Sequence, residues 1–353
     1  MSTRALVSPE ISRRFDVLRT LLVIFIVGVH AEKGIQAYYT QVPDVLRAYL
    51  VVFPHNIFRL CVPIFFSISG YLFYLTYKPT VEAYGRMLVK KARTILVPYL
   101  LFNAISIGLI LVFNKVPYIG DINDLHHDGI LKYLLGVYRF PAVYTLWFLR
   151  DLYVYFLLAP VFYVVSVEIP LLGLVVFWAI WMFIPQHGLP VELSGMFFFY
   201  LGCLLSRTRA DLDGARRFTI PACVLYVAVL LAVSFVEYTQ GTGTEIYQTL
   251  YPQEMIIGTV CLWLLTGYSR FGDSPFLLRL SGISFFVYLT HEPVLSYLIY
   301  GTRFIFHPSG SAAGSGYVLL LTVLPFALCV GLGNLLLRYA PAAYAVATGS
   351  RQR

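Results

Sequence analysis

The sequence predicts an all-α integral membrane protein, a bundle of about ten transmembrane helices with both termini in the cytoplasm. Of its 353 residues, 59% are hydrophobic and only 12% are charged, and the mean hydropathy is +0.74. Soluble globular domains carry about 25% charged residues, so this composition excludes them. The net charge of +8 does not indicate nucleic-acid binding, because the basic residues fall in alternate loops, as membrane topology requires.

Ten apolar segments approach the length of about 20 residues that a membrane-spanning helix needs. The sixth is the shortest, and a tight turn over Ser166–Pro170 separates the fourth from the fifth. Before the second segment we expect an interfacial helix over Ala48–Ile57 that breaks at Pro54, because proline cannot donate a helical hydrogen bond. The predicted segments are 15–33, 58–76, 95–114, 145–165, 169–185, 194–206, 218–237, 254–269, 280–300 and 317–339.

Lysine and arginine residues set the predicted orientation. With the N-terminus in the cytoplasm, 17 of them fall on the cytoplasmic side and 8 on the opposite side, leaving out Arg19 within the first segment. We therefore expect one transmembrane domain over residues 1–345 and a short cytoplasmic tail over 346–353. The protein is expected to lie in the inner (plasma) membrane. The first segment has features of a signal peptide, but the many segments after it favour a retained first span.

Three ionisable residues lie in or at the edge of the first segment: Asp16, Arg19 and His30. The step from Arg19 to His30 corresponds to about three helical turns, so both side chains project from one face. Asp16 precedes Arg19 by one turn and is its expected ion-pair partner. Because ionisable groups inside a membrane are costly, we predict a catalytic role for all three. The alternative for the histidine is a buried, hydrogen-bonded core residue.

Two further polar pairs fall at a similar depth to the histidine of the first segment. They are Arg150 and Asp151 in the fourth segment and His291 and Glu292 in the ninth, and together they predict a shared polar cavity. Adjacent residues point about 100° apart, so Arg150 and Asp151 are each expected to need a partner of their own. A structural ion-pair network is the alternative for the first pair, and polar filling of a kink at Pro293 is the alternative for the second.

The second cytoplasmic loop presents a basic run just before the third segment: Arg86, Lys90, Lys91 and Arg93. These cations either anchor the topology or bind the phosphates of an anionic donor. No metal site is predicted. The acidic and histidine residues of the outer loop over 116–143 are contiguous, whereas metal ligands are usually spaced along the chain.

Five segments of the sequence carry a resemblance to a known family. They are Phe15–Arg19 continuing to His30, Val62–Phe73, Lys90–Leu101, Leu146–Leu152 and Leu280–Pro293. On these segments, which follow the family's order and cover essentially the whole chain, the protein resembles the membrane acyltransferase 3 family. That family includes bacterial surface-polysaccharide O-acetyltransferases.

The resemblance implies transfer of an acyl group, usually acetyl from cytoplasmic acetyl-CoA, to a hydroxyl of a cell-envelope glycan or lipid-linked sugar. Acyl-CoA is then a co-substrate, and no bound cofactor is expected. The resemblance also implies that Arg19 and His30 are the essential pair, and that Lys90–Arg93 matches a basic Arg-x-x-Arg element associated with the donor. Here lysine replaces the first arginine, which weakens bidentate phosphate binding.

The expected partners are therefore acyl-CoA, a glycan or lipid-linked sugar acceptor and the lipid bilayer, and no nucleic acid. His30 acts either as the base or as an acylated intermediate. A proton-coupled transporter or flippase of a glycan or small anion is the competing hypothesis, because intramembrane ionisable residues fit both functions. The residues expected to line the acceptor cavity are Trp147, Arg150, Asp151, His291 and Glu292.

Overall fold

The computed structural model describes residues 9–117, 119–137, 140–186, 189–208, 214–266 and 273–350. Within these ranges the chain is mainly helical, with one antiparallel hairpin of β1 (Lys115–Val116) and β2 (Gly120–Asp121). The α-helices are α1 (Pro9–Ala31), α2 (Lys33–Gln36), α3 (Asp44–Leu50), α4 (Cys61–Thr76), α5 (Val81–Lys91), α6 (Val97–Phe113), α7 (Ile122–Asp128), α8 (Ile130–Leu135), α9 (Trp147–Leu157), α10 (Ala159–Glu168), α11 (Pro170–Phe183), α12 (Leu193–Arg207), α13 (Thr219–Gln240), α14 (Glu245–Leu265), α15 (Pro275–Thr302), α16 (Gly310–Tyr339) and α17 (Pro341–Ala347). Two π-helical turns cover Val51–Ile57 and Ala92–Leu96, and 3-10 turns cover Phe58–Leu60, Tyr144–Leu146 and Gly214–Phe218.

Among the described residues, four helical stretches are long and apolar enough to cross a membrane. They are Asp44–Thr76, Val81–Phe113, Thr219–Gln240 and Gly310–Tyr339, and the bent pair of α9 and α10 makes a fifth if it counts as one span. Helices α11 and α12 are apolar but shorter. The helical, membrane-spanning class is therefore confirmed, whereas the number of ten spans and the cytoplasmic position of the termini stay predictions.

Proline residues account for two differences from the predicted segments. The expected break at Pro54 is wrong: the helix runs from Asp44 to Thr76, and the π-helical turn over Val51–Ile57 takes in the residue that lacks an N–H. The fourth segment, expected to be continuous, is instead bent by 60° between α9 and α10. Pro160 lies in the first turn of α10, where a missing N–H leaves no helical bond unmade, so a new helix starts there.

The chain divides into two compact units. Unit 1 comprises Met1–Phe65, Arg209–Ser284 and Gly301–Phe326. Unit 2 comprises Phe66–Thr208, Phe285–Tyr300 and Ala327–Arg353. Each unit thus collects segments that are far apart in the sequence.

In unit 1, α13 and α14 form a helical hairpin whose apolar contacts include Val233, Val236 and Tyr247. Helix α1 is tied to the first turn of α15, because the Thr20 hydroxyl donates to the carbonyl of Leu277 at 3.0 Å. This bond uses a polar side chain that is fully buried on α1. The hairpin, α1 with the residue that follows it, and the π-helical turn over Val51–Ile57 carry the polar residues of unit 1 that are described below.

In unit 2, the second half of α4 crosses α12 at two glycines. A Cβ atom added at Gly70 would lie 1.9 Å from the carbonyl oxygen of Phe199, and one added at Gly202 would lie 1.9 Å from that of Ser67. Only glycine permits backbones to approach this closely, as is common between membrane helices. The two glycines thus allow a close contact between α4 and α12. It holds α12 in place at the loop that contacts the polar pair of α9.

Candidate active site

Helix α1 carries three of the predicted site residues. Arg19 Nη1 donates to Asp16 Oδ1 at 3.1 Å, so the expected ion pair is present, with the two side chains 35% and 25% exposed. His30 lies in the last turn of α1 and is half-buried. Because α1 is continuous from Pro9 to Ala31, the three turns that place Arg19 and His30 on one face are intact.

A polar network that the sequence analysis missed lies just beyond the end of α1, in unit 1. His55 is flanked by two carboxylates: its Nε2 is 2.8 Å from Glu32 Oε2, and its Nδ1 contacts Glu237 Oε1. Asn56 Nδ2 donates to Glu237 Oε2 at 3.2 Å. Since Glu32 follows His30 by two residues, the network lies at the same end of α1 as that histidine.

The π-helical turn over Val51–Ile57 presents both His55 and Asn56 to this network. Turns of this kind occur frequently at functional sites, so the combination of Pro54 and a polar pair in an apolar stretch is a usable sequence signal. The sequence gives no such signal for the two carboxylate partners, because Glu32 and Glu237 are 23 and 182 residues from His55. Only the folded chain brings them together.

On α9, Arg150 and Asp151 bond to each other, and each also has the separate partner that their diverging positions predict. Arg150 Nε donates to Asp151 Oδ1 at 2.8 Å. The long, flexible stem of arginine lets the guanidinium fold back onto its neighbour although the two Cβ atoms diverge. The second oxygen of Asp151 accepts from the backbone N–H of Glu192 at 2.8 Å, and the side chain is fully buried. Both carboxylate oxygens of Asp151 therefore bond within unit 2, as expected for a structural ion-pair network.

The Arg150 guanidinium is also fixed at its other end, since Nη1 donates to the carbonyl of Gly136. Gly136 ends α8 with φ +63°, and a Cβ there would lie 2.9 Å from the nitrogen of Pro141, so glycine is required. Only 15% of the Arg150 side chain is exposed. The result is a cation held in one orientation before any substrate arrives.

Glu192, just before α12, brings a second carboxyl to this region of unit 2. Burial raises the pKa of the Glu192 carboxyl, while hydrogen bonding to Ser194 and the charge of Arg150 oppose that rise. The backbone carbonyl of Glu192 accepts from the hydroxyl of Tyr155. The loop before α12 is thus anchored to α9 by Asp151 and Tyr155.

His291 and Glu292 lie within α15 and are 0% and 1% exposed. His291 Nδ1 is 2.7 Å from the carbonyl oxygen of Tyr288. Because a carbonyl only accepts, Nδ1 carries the proton, and Nε2 is the basic nitrogen of the neutral ring. Helix α15 continues through Pro293. Trp147, at the start of α9, is half-buried with its ring 6.4 Å from that of Phe66.

The four basic residues before α6 have different surroundings. Arg86 is exposed and is paired with Glu82, which is exposed too. Lys91 directs its Nζ at the ring of Phe156, 3.9 Å from the centroid, in a cation–π contact. Lys90 and Arg93 are exposed. Arg86, Lys90 and Arg93 are therefore all accessible to solvent, and the charge of Arg86 is already paired with a carboxylate.

Comparison with known proteins identifies the class of this chain. The family model described as an acyltransferase domain, Acyl_transf_3, matches residues 12–334. The chain belongs to this acyltransferase family. Among curated proteins, the succinoglycan biosynthesis protein ExoH of Rhizobium meliloti (strain 1021) is 27% identical over 360 residues, which cover 97% of this chain and 93% of ExoH. No solved structure is significantly similar to the chain.

The resemblance stated from the sequence is thus confirmed, and the chain is an acyltransferase. Acyl transfer to a hydroxyl needs a base for the attacking group and a positive or hydrogen-bonding group for the oxyanion that develops. The matched region supplies both kinds of residue. His30 and His291 are candidate bases, and Arg19 and Arg150 are cations already oriented by carboxylates.

Proposed function

We propose that this acyltransferase moves an acetyl or other acyl group from cytoplasmic acyl-CoA to a hydroxyl of a cell-envelope glycan or lipid-linked sugar. The observation that carries the proposal is the family match over residues 12–334, which includes α1 with its Asp16–Arg19 pair and His30. The relative ExoH is by name a protein of succinoglycan biosynthesis, which supports a polysaccharide acceptor.

The proposed topology has ten spans in the inner membrane with both termini in the cytoplasm. The excess of lysine and arginine on one side supports it. In this orientation the basic run before α6 faces the cytoplasm, where acyl-CoA is available, and His30 lies toward the outer surface, where the acceptor arrives. The acyl group therefore crosses most of the membrane along α1.

In the proposed reaction, the acceptor hydroxyl attacks the thioester carbonyl carbon, and His30 removes its proton. Arg19, whose guanidinium is oriented by Asp16, lies along the path of the thioester arm. When the carbon–sulfur bond breaks, the proton passes to the CoA thiolate, so the products are an ester and free CoA. A route through an acylated His30 gives the same products, but it passes through a covalent acyl-enzyme intermediate.

The donor phosphates are proposed to contact Lys90 and Arg93, which are exposed. Arg86 and Lys91 belong to the same run but are already engaged, by Glu82 and by the ring of Phe156. Their contribution to donor binding is therefore proposed to be smaller.

Arg150 is proposed to orient the acceptor or to stabilise the oxyanion, with Asp151 holding its position. His291 is proposed as a further basic group of the acceptor cavity, because its Nδ1 proton is committed to Tyr288. Glu292 and Trp147 are proposed to line the same cavity. The support for this group is the burial of Asp151, His291 and Glu292 and the common depth of the residues in the predicted spans.

The proposal is tested with purified protein in liposomes, radiolabelled acetyl-CoA and alkali-deacylated succinoglycan. We expect label to enter the polysaccharide as an alkali-labile ester, in proportion to the free CoA released. Polysaccharide uptake into the liposomes without ester formation would instead favour the transporter hypothesis. Release of CoA without any acylated product would exclude this polysaccharide as the acceptor.

A further inference from the structure

The network of Glu32, His55 and Glu237 has no role in the reaction described above, yet it lies next to His30. The Cα atoms of His30 and Glu32 are separated by two residues, a distance of at most about 7 Å. All members of the network belong to unit 1. An acceptor of several sugars whose reacting hydroxyl meets His30 is therefore long enough to reach Glu32 as well.

The network is buried at one end and open at the other. Glu237 is 5% exposed, whereas the side chains of Glu32 and His55 are 20% and 24% exposed. Both ring nitrogens of His55 face carboxylate oxygens. An ionised carboxylate can accept a hydrogen bond but cannot donate one, so each ring nitrogen of His55 is the donor. His55 occupies Oε2 of Glu32, and the accessible remainder of that carboxylate is a strong hydrogen-bond acceptor held in a fixed position.

A second, independent observation indicates that this region of unit 1 receives polar atoms from outside the protein. Glu254 on α14 is fully buried, and neither of its carboxylate oxygens has a hydrogen-bond partner among the described residues. The same is true of the buried Tyr226 hydroxyl and of Asn56 Oδ1. Asn56 Nδ2 bonds to Glu237, so Asn56 Oδ1 adjoins the network, and Tyr226 and Glu254 lie on the same α13–α14 hairpin as Glu237. Buried polar atoms are rarely left without partners, and solvent or ligand hydroxyls would supply them here.

We propose that Glu32, held by His55 and Glu237, forms the acceptor-binding subsite of this acyltransferase and recognises a neutral sugar. Sugar hydroxyls donate hydrogen bonds, and a fixed carboxylate accepts them better than any neutral group. The inference rests on the proposed function and identifies the acceptor side of the same site.

The test compares Glu32→Gln and Glu237→Gln with Glu245→Gln, a matched change of an exposed glutamate in the first turn of α14. Initial rates are measured in liposomes with acetyl-CoA and alkali-deacylated succinoglycan, each varied in turn. We expect Glu32→Gln to raise KM for the polysaccharide about tenfold, the loss typical of one charged hydrogen bond. We expect kcat and KM for acetyl-CoA to change less than about twofold, and Glu245→Gln to match the wild type. Glu237→Gln should raise the same KM by a smaller factor, because it acts through His55.

Thermal unfolding of each variant is recorded in the same detergent. An unchanged KM for the polysaccharide in Glu32→Gln, or a fall in kcat with no change in that KM, would overturn the inference. If the wild type transfers no acetyl group, the proposed function fails separately. The subsite is then tested by equilibrium binding of tritiated, deacylated succinoglycan. Binding that Glu32→Gln weakens about tenfold supports the subsite, and equal binding by the wild type and the variant overturns it.

Discussion

Replacing Asp151 by asparagine should lower the stability of the protein far more than replacing an exposed carboxylate does. Asp151 is fully buried and accepts from Arg150 Nε and from the Glu192 N–H, both at 2.8 Å. Asparagine keeps the shape but removes the charge and turns one acceptor into a donor. Because Arg150 is only 15% exposed, its charge is then left in a site with little solvent. Removing one partner of a buried ion pair costs about 3–5 kcal/mol, and partial exposure places this case at the lower end.

The assay is equilibrium unfolding of purified protein in mixed detergent and SDS micelles, with Glu82→Gln as the control. Glu82 also pairs with an arginine, but both side chains are exposed, so that change should cost less than about 1 kcal/mol. An Asp151→Asn protein that unfolds like the wild type but transfers no acetyl group would refute this reasoning. Asp151 would then be a substrate contact rather than the residue that positions Arg150.

Two further predictions concern the donor site and helix packing. Lys90→Gln and Arg93→Gln should each raise KM for acetyl-CoA about tenfold. Arg86→Gln should raise this KM less than about threefold, because the Arg86 guanidinium is already paired with Glu82. Initial-rate kinetics with varied acetyl-CoA measure the difference. Gly70→Ala should abolish folded protein in size-exclusion chromatography, because its Cβ would lie 1.9 Å from a backbone carbonyl. Gly108→Ala is its control, since nothing lies within 4 Å of a Cβ there, and a normal elution profile of Gly70→Ala would contradict the predicted clash.

Much of the first helix could be predicted from the sequence, because its geometry depends only on local periodicity. The Asp16–Arg19 pair and the shared face of Arg19 and His30 follow from regular helical spacing, and the continuous helix preserves it. The close contact at Gly70 was likewise predictable from a small residue in an apolar helix. In these cases sequence neighbours determine the outcome.

Other features depended on contacts that spacing does not reveal. The adjacent positions of Arg150 and Asp151 suggested separate partners, which both have, but not the bond that the flexible arginine side chain makes to its neighbour. The network around His55 was missed because its carboxylates are 23 and 182 residues away in the sequence. Pro54 suggested a break, and a π-helical turn accommodated it instead. Helical periodicity in the sequence predicts neither pairing between distant residues nor local adjustment of the backbone.

In the proposed mechanism, His30 on α1 takes part directly in acyl transfer. The most direct measurement is the initial rate of radiolabelled acetyl transfer by purified His30→Ala, beside the wild type and His126→Ala, a change of an exposed histidine on α7. We predict a rate at least about 100-fold lower for His30→Ala, with wild-type unfolding behaviour, and an unchanged rate for His126→Ala. A His30→Ala protein that transfers acetyl groups at the wild-type rate would contradict the account.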